Sequence, residues 1–331
     1  MNTHSRRSLP VWLAVIAMFV CCVKRIDLPA VEVSTDAAVV ARGEYLVEHV
    51  GVCTTCHTPR DFRSFSGPPL RDQLGAGADV APVFGYAPSM VLWAPNLTPA
   101  ALAPWSDAEL QRAIVSGVHR DGHALFPAMP FDQFNALSVE DARAIVSYLR
   151  TLPPSPSVIP SRRLPFPLDP LVNVLPLEPR LVERTPTPAD GLAYGKYVTT
   201  VAGCLWCHSP VDSFEQVVKG KEWSGGHAFP LPTPGEQPGS VVVGPGTIRT
   251  PNLSRDIEAG IGTWTREAFV LRFRSATAEA LGQVKPARHE LNSIMPWVGY
   301  SGMTEQDLGA IYEYLASFPA QKNVVKPFDP P

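Results

Sequence analysis

Apolar residues along this chain gather into a few helical stripes separated by long stretches broken by proline. The first run, Leu9 to Val23, is bracketed by Arg6-Arg7 and Lys24-Arg25. It is shorter than the roughly 20 apolar residues that span a bilayer as a helix. Basic flanks around a short apolar run match a secretory signal, so residues 1–35 are expected to form a signal or anchor segment. Bulky Val20 before Cys21 and the lack of a small-x-small site leave three modes open: a cleaved signal, lipid on Cys21 or Cys22, and an uncleaved anchor. Downstream, Val39, Leu46 and Val50 share one face of a helix expected from about Asp36 to Val50. Ser106 predicts an N-cap, with Glu109 completing a capping box, for a helix through Gly117. Ser138, with Asp141 in the first turn, predicts another that Pro153-Pro154 stops. Thr265 and Thr304, the latter with Asp307, take the same cap positions later in the chain.

These elements repeat. Gly43-Glu44-Tyr45-Leu46 is answered by Gly195-Lys196-Tyr197-Val198, and Pro95-Asn96-Leu97-Thr98 by Pro251-Asn252-Leu253-Ser254. Trp105-Ser106 matches Trp264-Thr265, Ala128-Met129-Pro130-Phe131 matches Ile294-Met295-Pro296-Trp297, and Ala144 to Leu149 matches Ala310 to Leu315. One order kept throughout is an internal duplication, with extra loop residues in the second copy after residue 208. The expected boundaries are 36–152 and 191–320 for the two copies, 153–190 for a linker and 321–331 for a tail. Eleven of the chain's 36 prolines fall within residues 151–190, which predicts an extended strap packed over a domain.

Composition changes the picture little: 45% hydrophobic, 18% charged and a net charge of -3 describe a globular chain without the basic face that nucleic acid requires. Cysteine placement changes it greatly. Beyond Cys21 and Cys22, the cysteines form two pentads, Cys53-Thr-Thr-Cys56-His57 and Cys204-Leu-Trp-Cys207-His208, so no thiol is left over for a structural disulfide.

Cys-x-x-Cys-His is the attachment pattern of a c-type haem. Two intervening residues let both sulfurs form thioethers to vinyl groups on one edge of the porphyrin, and the following histidine ligates the iron from below. Cys53, Cys56, Cys204 and Cys207 are therefore the expected anchors of two covalent haems c, with His57 and His208 as axial ligands. A thioredoxin-like pair needs a βαβ setting, which the helical stripes do not supply. A zinc site would leave both histidines unexplained. For the sixth ligand, Met129 and Met295 occupy the same repeat position in proline-fixed loops. A lone core methionine is ordinary filler, but this coincidence predicts iron ligation, and a thioether opposite histidine suits electron transfer. Met303 aligns with Leu137 and is expected in the core. His119 and His123, shortly before Met129, are expected to take a surface role or one beside the ligands. His227 and His289 are expected to be solvated or structural. Arg60 stays open between a haem propionate partner and an exposed residue, and Asn96 and Asn252 are expected to fix turns.

Gly-x-Tyr-Leu, Cys-x-x-Cys-His-Thr-Pro-Arg at 53–60, Pro-Asn-Leu-Thr-Pro at 95–99 and Leu125-Phe-Pro-Ala-Met-Pro130 resemble the cytochrome c subunits of membrane-bound bacterial alcohol, aldehyde, gluconate and nicotinate dehydrogenases. The likeness spans about residues 36–320. It implies an all-α fold of two tandem cytochrome c-like domains with long proline-rich loops, and His/Met iron. It further implies a non-enzymatic carrier passing single electrons from a dehydrogenase or quinol-side donor to a respiratory acceptor. Many such subunits carry three haems, whereas this chain has sites for two. The expected location is periplasmic, attached to the inner membrane through the N-terminal segment. A diheme peroxidase is the competing reading. It needs one iron with an open position and nearby acid–base groups, whereas each half here supplies a methionine.

Overall fold

The computed structural model describes Ile26, residues 31–287 and residues 289–331. The apolar run 9–23, with Cys21 and Cys22, lies outside the described residues. Among those described, no helix is long and apolar enough to cross a membrane.

The capped helices form where local chemistry places them. Helix α1, Ala37–Tyr45, starts at Asp36, whose carboxylate accepts the Ala38 amide at 2.8 Å; it continues into a wider turn, Leu46–Val50. Helix α2, Asp107–Ser116, carries the Ser106/Glu109 capping box and stops at left-handed Gly117. Helix α3, Val139–Leu149, is capped by Ser138. In the second half, α4 spans Leu192–Val201, α5 spans Arg266–Arg274 under Thr265, and α6 spans Glu305–Ala316 under Thr304.

Within each half the first helix crosses the last, α1 on α3 and α4 on α6. The crossing points are Gly43 and Gly195, where a Cβ would run into the carbonyls of Ala144 and Ala310 respectively. Overpacking a close contact of this kind costs about 1–3 kcal/mol. Gly43→Ala and Gly195→Ala are each expected to lower stability by that amount, read as a lower urea unfolding midpoint; an unchanged midpoint contradicts the crossing geometry.

The halves are joined by a reciprocal pair of contacts. Tyr197 of the second half donates to Asp141 of the first at 2.6 Å and accepts from the Ser138 amide at 3.2 Å. Tyr45 of the first half donates to Asp307 of the second at 2.5 Å and accepts from the Thr304 amide at 3.1 Å. Each tyrosine thus caps the opposite half's last helix, as a two-fold interface would have it. Arg42 completes one side by a two-pronged pair with Asp141. Around these contacts a single core draws Leu46, Val47, Leu137 and Ile145 from one half and Val198, Met303, Leu308 and Ile311 from the other. Met303 is a core residue, as expected.

Burial, and then the Asp307 carboxylate, push the Tyr45 phenol up to about 12. A raised folded-state value means its stabilising contribution is complete below pH 10 and is lost as pH climbs through about 12. Holo protein is therefore expected to lose stability between pH 10 and 12, with the loss reduced in Tyr45→Phe. Tyr197→Phe removes a buried bond to a carboxylate, worth about 1.5–3 kcal/mol. Chemical unfolding at pH 7 and pH 11 checks both.

The all-α expectation is wrong: helix makes up 36% and strand 11%, giving a mixed α/β chain with two small antiparallel sheets. One pairs β1, Ala78–Asp79, with β2, Trp93–Ala94. The other holds β3, Ala228–Pro234, β4, Val241–Arg249, and β5, Phe328–Asp329, in the order β3-β4-β5. Prolines at 230, 232 and 234 made the first segment look like loop. They alternate along an edge strand, where one side of the backbone needs no partner. Register slips between Pro230 and Leu231, so Pro245 and Gly246 on β4 fall in the bulge. This sheet is what the extra residues after His208 build. It reaches the first half, where Pro230 abuts Gly85 and Gly239 abuts Pro59.

The proline-rich strap lies along the first half. Arg163 bridges to Val91, the Leu177 amide donates to the Ser116 carbonyl at 3.1 Å, and Val182 runs parallel to Ser138.

Candidate functional site

Both Cys-x-x-Cys pentads fold the same way. Each begins at a left-handed residue, Val52 (φ 43°) or Gly203 (φ 70°), and forms a single turn of helix, Cys53–Cys56 or Cys204–Cys207. That turn brings both sulfurs to one side and delivers the histidine at its end.

The histidines are then fixed by matching backbone groups. His57 Nδ1 donates to the Pro95 carbonyl at 2.8 Å and His208 Nδ1 to the Pro251 carbonyl at 3.1 Å. A carbonyl accepts only from N–H, so each ring carries its proton on Nδ1 and keeps the Nε2 lone pair free. Desolvation, only partly offset by the carbonyl bond, pushes both imidazoles down to about 4, so they are neutral at physiological pH. The histidine carbonyls accept from Gly77 and Gly225, each at 2.9 Å. Hydroxyls of the next residues, Thr58 and Ser209, accept the amides of Gly75 and Trp223, each at 3.0 Å.

Asn96 and Asn252 form the turns expected of them. Their carboxamide oxygens accept the amides of Thr98 and Ser254, each at 2.8 Å. Their nitrogens reach further, Asn96 to the strap carbonyls of Ser155 and Ser157, Asn252 to Gln321 and Asn323 in the tail. The proline carbonyl that orients each histidine is thus anchored by an asparagine tied to a chain segment wrapping that half.

All eight expected site residues line one cavity of about 2150 Å³. A single small-molecule site occupies about 300–1,000 Å³, and a packed interior leaves few voids larger than a water. The space therefore suits two large apolar groups. The four thiols are free and half-buried, facing the cavity. Burial pushes Cys53, Cys204 and Cys207 up to about 12 and raises Cys56. The Thr250 hydroxyl, buried beside Pro251 on the cavity wall, lacks a hydrogen-bond partner among the described residues. These features fit covalently bound haem c in both halves.

Met129 and Met295 sit in matching turns. The amides of Phe131 and Trp297 donate to their carbonyls at 2.8 Å, and Pro130 and Pro296 share one backbone conformation. The Met295 segment is also held from the first half. Ser66 donates its hydroxyl to the Met295 carbonyl, and Arg60 reaches the Ile294 carbonyl at 3.1 Å. Asn292 accepts the Ser66 amide at 2.8 Å and donates to the Phe62 carbonyl at 3.0 Å. Arg60 is buried, with its guanidinium over Phe62 and bonds to Gly67 and Ser66; desolvation brings it down to about 10. Arg60 is therefore not exposed, and its guanidinium is engaged by backbone carbonyls. Repeat comparison could not find Ser66 or Asn292, because neither has a counterpart. Thr58 and Ser209 were there to be found, as hydroxyls following both pentads. His227 is structural, bonded to the Trp206 carbonyl at 3.0 Å and stacked on Phe229.

No family model matches the chain. It is similar to the cytochrome c subunit of a quinone-dependent alcohol dehydrogenase from Gluconacetobacter polyoxogenes, 26% identical over 295 residues. That match covers 86% of this chain and 57% of the relative. The fructose dehydrogenase cytochrome subunit of Gluconobacter japonicus is also 26% identical, over 85% of this chain and 53% of the relative. A diheme cytochrome c-type protein of Cereibacter sphaeroides is 37% identical over 114 residues, 34% of this chain and 35% of that one. The chain thus spans a little over half the length of the dehydrogenase subunits it matches.

Proposed function

We propose that the chain is a diheme c-type cytochrome and a non-catalytic electron carrier. It would serve on the periplasmic side between a dehydrogenase or quinol-side donor and a respiratory acceptor, with residues 1–35 providing export and membrane attachment. Copies 36–152 and 191–320 would each hold one haem, joined by the strap 153–190 and closed by the tail 321–331. The observation that carries this reading is the pair of Cys-x-x-Cys-His turns with histidines fixed in one tautomer, facing a shared apolar cavity with a methionine in each half.

Haem c, when bound, supplies a one-electron ferric–ferrous couple. Cys53 and Cys56, and likewise Cys204 and Cys207, would hold the two groups by thioethers. His57 and Met129 would ligate one iron, His208 and Met295 the other. The Pro95 and Pro251 carbonyls keep the imidazole rings oriented and raise their basicity as ligands. Pro130 and Pro296 hold the methionine turns, so little rearrangement accompanies a change of charge. Both cysteine pairs line the one cavity, so the two groups would share a single interior. A net charge of -3 gives weak long-range steering, which leaves partner choice to local docking patches.

A potentiometric titration repeated with hydrogen peroxide tests this against the peroxidase alternative. Two one-electron steps per chain with no peroxide consumption are expected. One high-spin iron that turns over peroxide overturns the carrier reading.

A further inference from the structure

Just ahead of Met129 a tight hairpin, closed by bridging of Val118 to Ala124, brings together His119, Asp121 and His123. None of the three is an anchoring or axial residue of the site described above, although His119 and His123 also line the wall of its cavity. His119 Nδ1 lies 2.8 Å and His123 Nδ1 2.5 Å from the same oxygen, Asp121 Oδ1. The two imidazoles are stacked, with centroids 4.4 Å apart and planes within 20°. One ligand atom from each residue lies within 4.8 Å of the others.

Two elements outside the hairpin hold it. Trp105, just before α2, packs edge-on against His119 with centroids 4.6 Å apart. Arg112 of α2 donates to the His119 carbonyl at 3.2 Å and to the Arg120 carbonyl at 3.4 Å. The guanidinium is thus engaged with backbone and leaves the Asp121 carboxylate to the histidines. Gly122 (φ 93°) permits the reversal, and the His119 amide donates to the His123 carbonyl at 2.9 Å.

The geometry assigns a binding site for a borderline divalent cation, of the zinc, nickel or copper class, to His119, Asp121 and His123. Two imidazoles and a carboxylate are the donor set these ions prefer over the all-oxygen sets of magnesium and calcium. Donors about 2.0–2.1 Å from a tetrahedral zinc stand about 3.3 Å apart, so small side-chain rotations suffice. All three side chains are partly exposed, which leaves at least one coordination position to water or an incoming donor. Seated on the hairpin that leads into the Met129 turn, the ion would brace that segment. The assignment rests on the donors of the hairpin itself and does not require either iron to be in place.

Zinc chloride titrated by calorimetry into tag-free holo protein, with zinc content measured after equilibrium dialysis, tests it. One zinc per chain is expected, weakened at least tenfold in His119→Ala, His123→Ala and Asp121→Asn. His289→Ala, a histidine outside the cluster, serves as the control and is expected to bind as the native chain does. An unchanged haem spectrum in each variant certifies its fold. Absence of zinc binding, or binding that the three substitutions leave intact, overturns the assignment.

Discussion

A chain carrying Cys204→Ala and Cys207→Ala is expected to mature with one covalent haem in place of two, and Cys53→Ala with Cys56→Ala to do the same for the other half. The reason is geometric. Each pair occupies a single turn set by a left-handed residue, and among the described residues both pairs face the common cavity. No other described cysteine can substitute, since positions 53, 56, 204 and 207 hold the free thiols there. The consequence reaches beyond stoichiometry. Walls such as Leu92 and Ala94 in the first half, or Phe229 and Ile248 in the second, lose the group they enclose. Large unfilled apolar volumes are strongly destabilising, so the single-haem forms should also unfold at much lower denaturant. Haem retained after acid–acetone extraction, counted per chain, measures the first effect. Full retention of two haems in either double variant contradicts the anchoring assignment.

Met295→Ala is expected to abolish the near-infrared methionine–iron band of one haem and to leave the other intact. The potential of the altered haem should fall by on the order of 100 mV or more, part of the roughly 0.8 V that axial ligation spans. Met129→Ala should do the converse. The second-half methionine carries an additional expectation, because residues from the first half pin its segment. Ser66 holds the Met295 carbonyl, Asn292 links Ser66 to Phe62, and Arg60 holds Ile294. Each such bond contributes about 0.5–1.5 kcal/mol. Asn292→Ala should therefore weaken the Met295-dependent band while sparing the Met129 signal, a selectivity that general destabilisation would not produce. Equal loss of both signals contradicts the cross-half hold.

What the sequence disclosed depended on how local the cause was. The caps at Ser106, Ser138, Thr265 and Thr304 were legible because the hydroxyl and the amide it accepts lie three residues apart. The pentads and methionine turns were legible because duplication placed the same chemistry at the same position twice. Strand β3 was hidden by its prolines, which mimic a loop until their alternation is set beside a paired β4. Asp141 and Asp307 looked like ordinary first-turn acids. Their bonds to Tyr197 and Tyr45 cross between halves, and no local pattern encodes a partner more than fifty residues away. Arg60 was ambiguous for the same reason, since its burial depends on the Ile294 segment docking over it. The proline carbonyls on His57 and His208 were half-visible. The Pro-Asn pairs stood out as a repeat, but only the fold shows which atom meets the imidazole.

The central claim is that two haems c are held covalently, each by its own cysteine pair with histidine and methionine on the iron. A pyridine haemochrome count on the purified full chain, combined with oxidised and reduced absorption spectra, tests it most directly. Two haems c per chain, both low-spin, with the near-infrared methionine–iron band and no response to peroxide, is the predicted result. Fewer than two covalent haems, or one high-spin iron that reacts with peroxide, would contradict it.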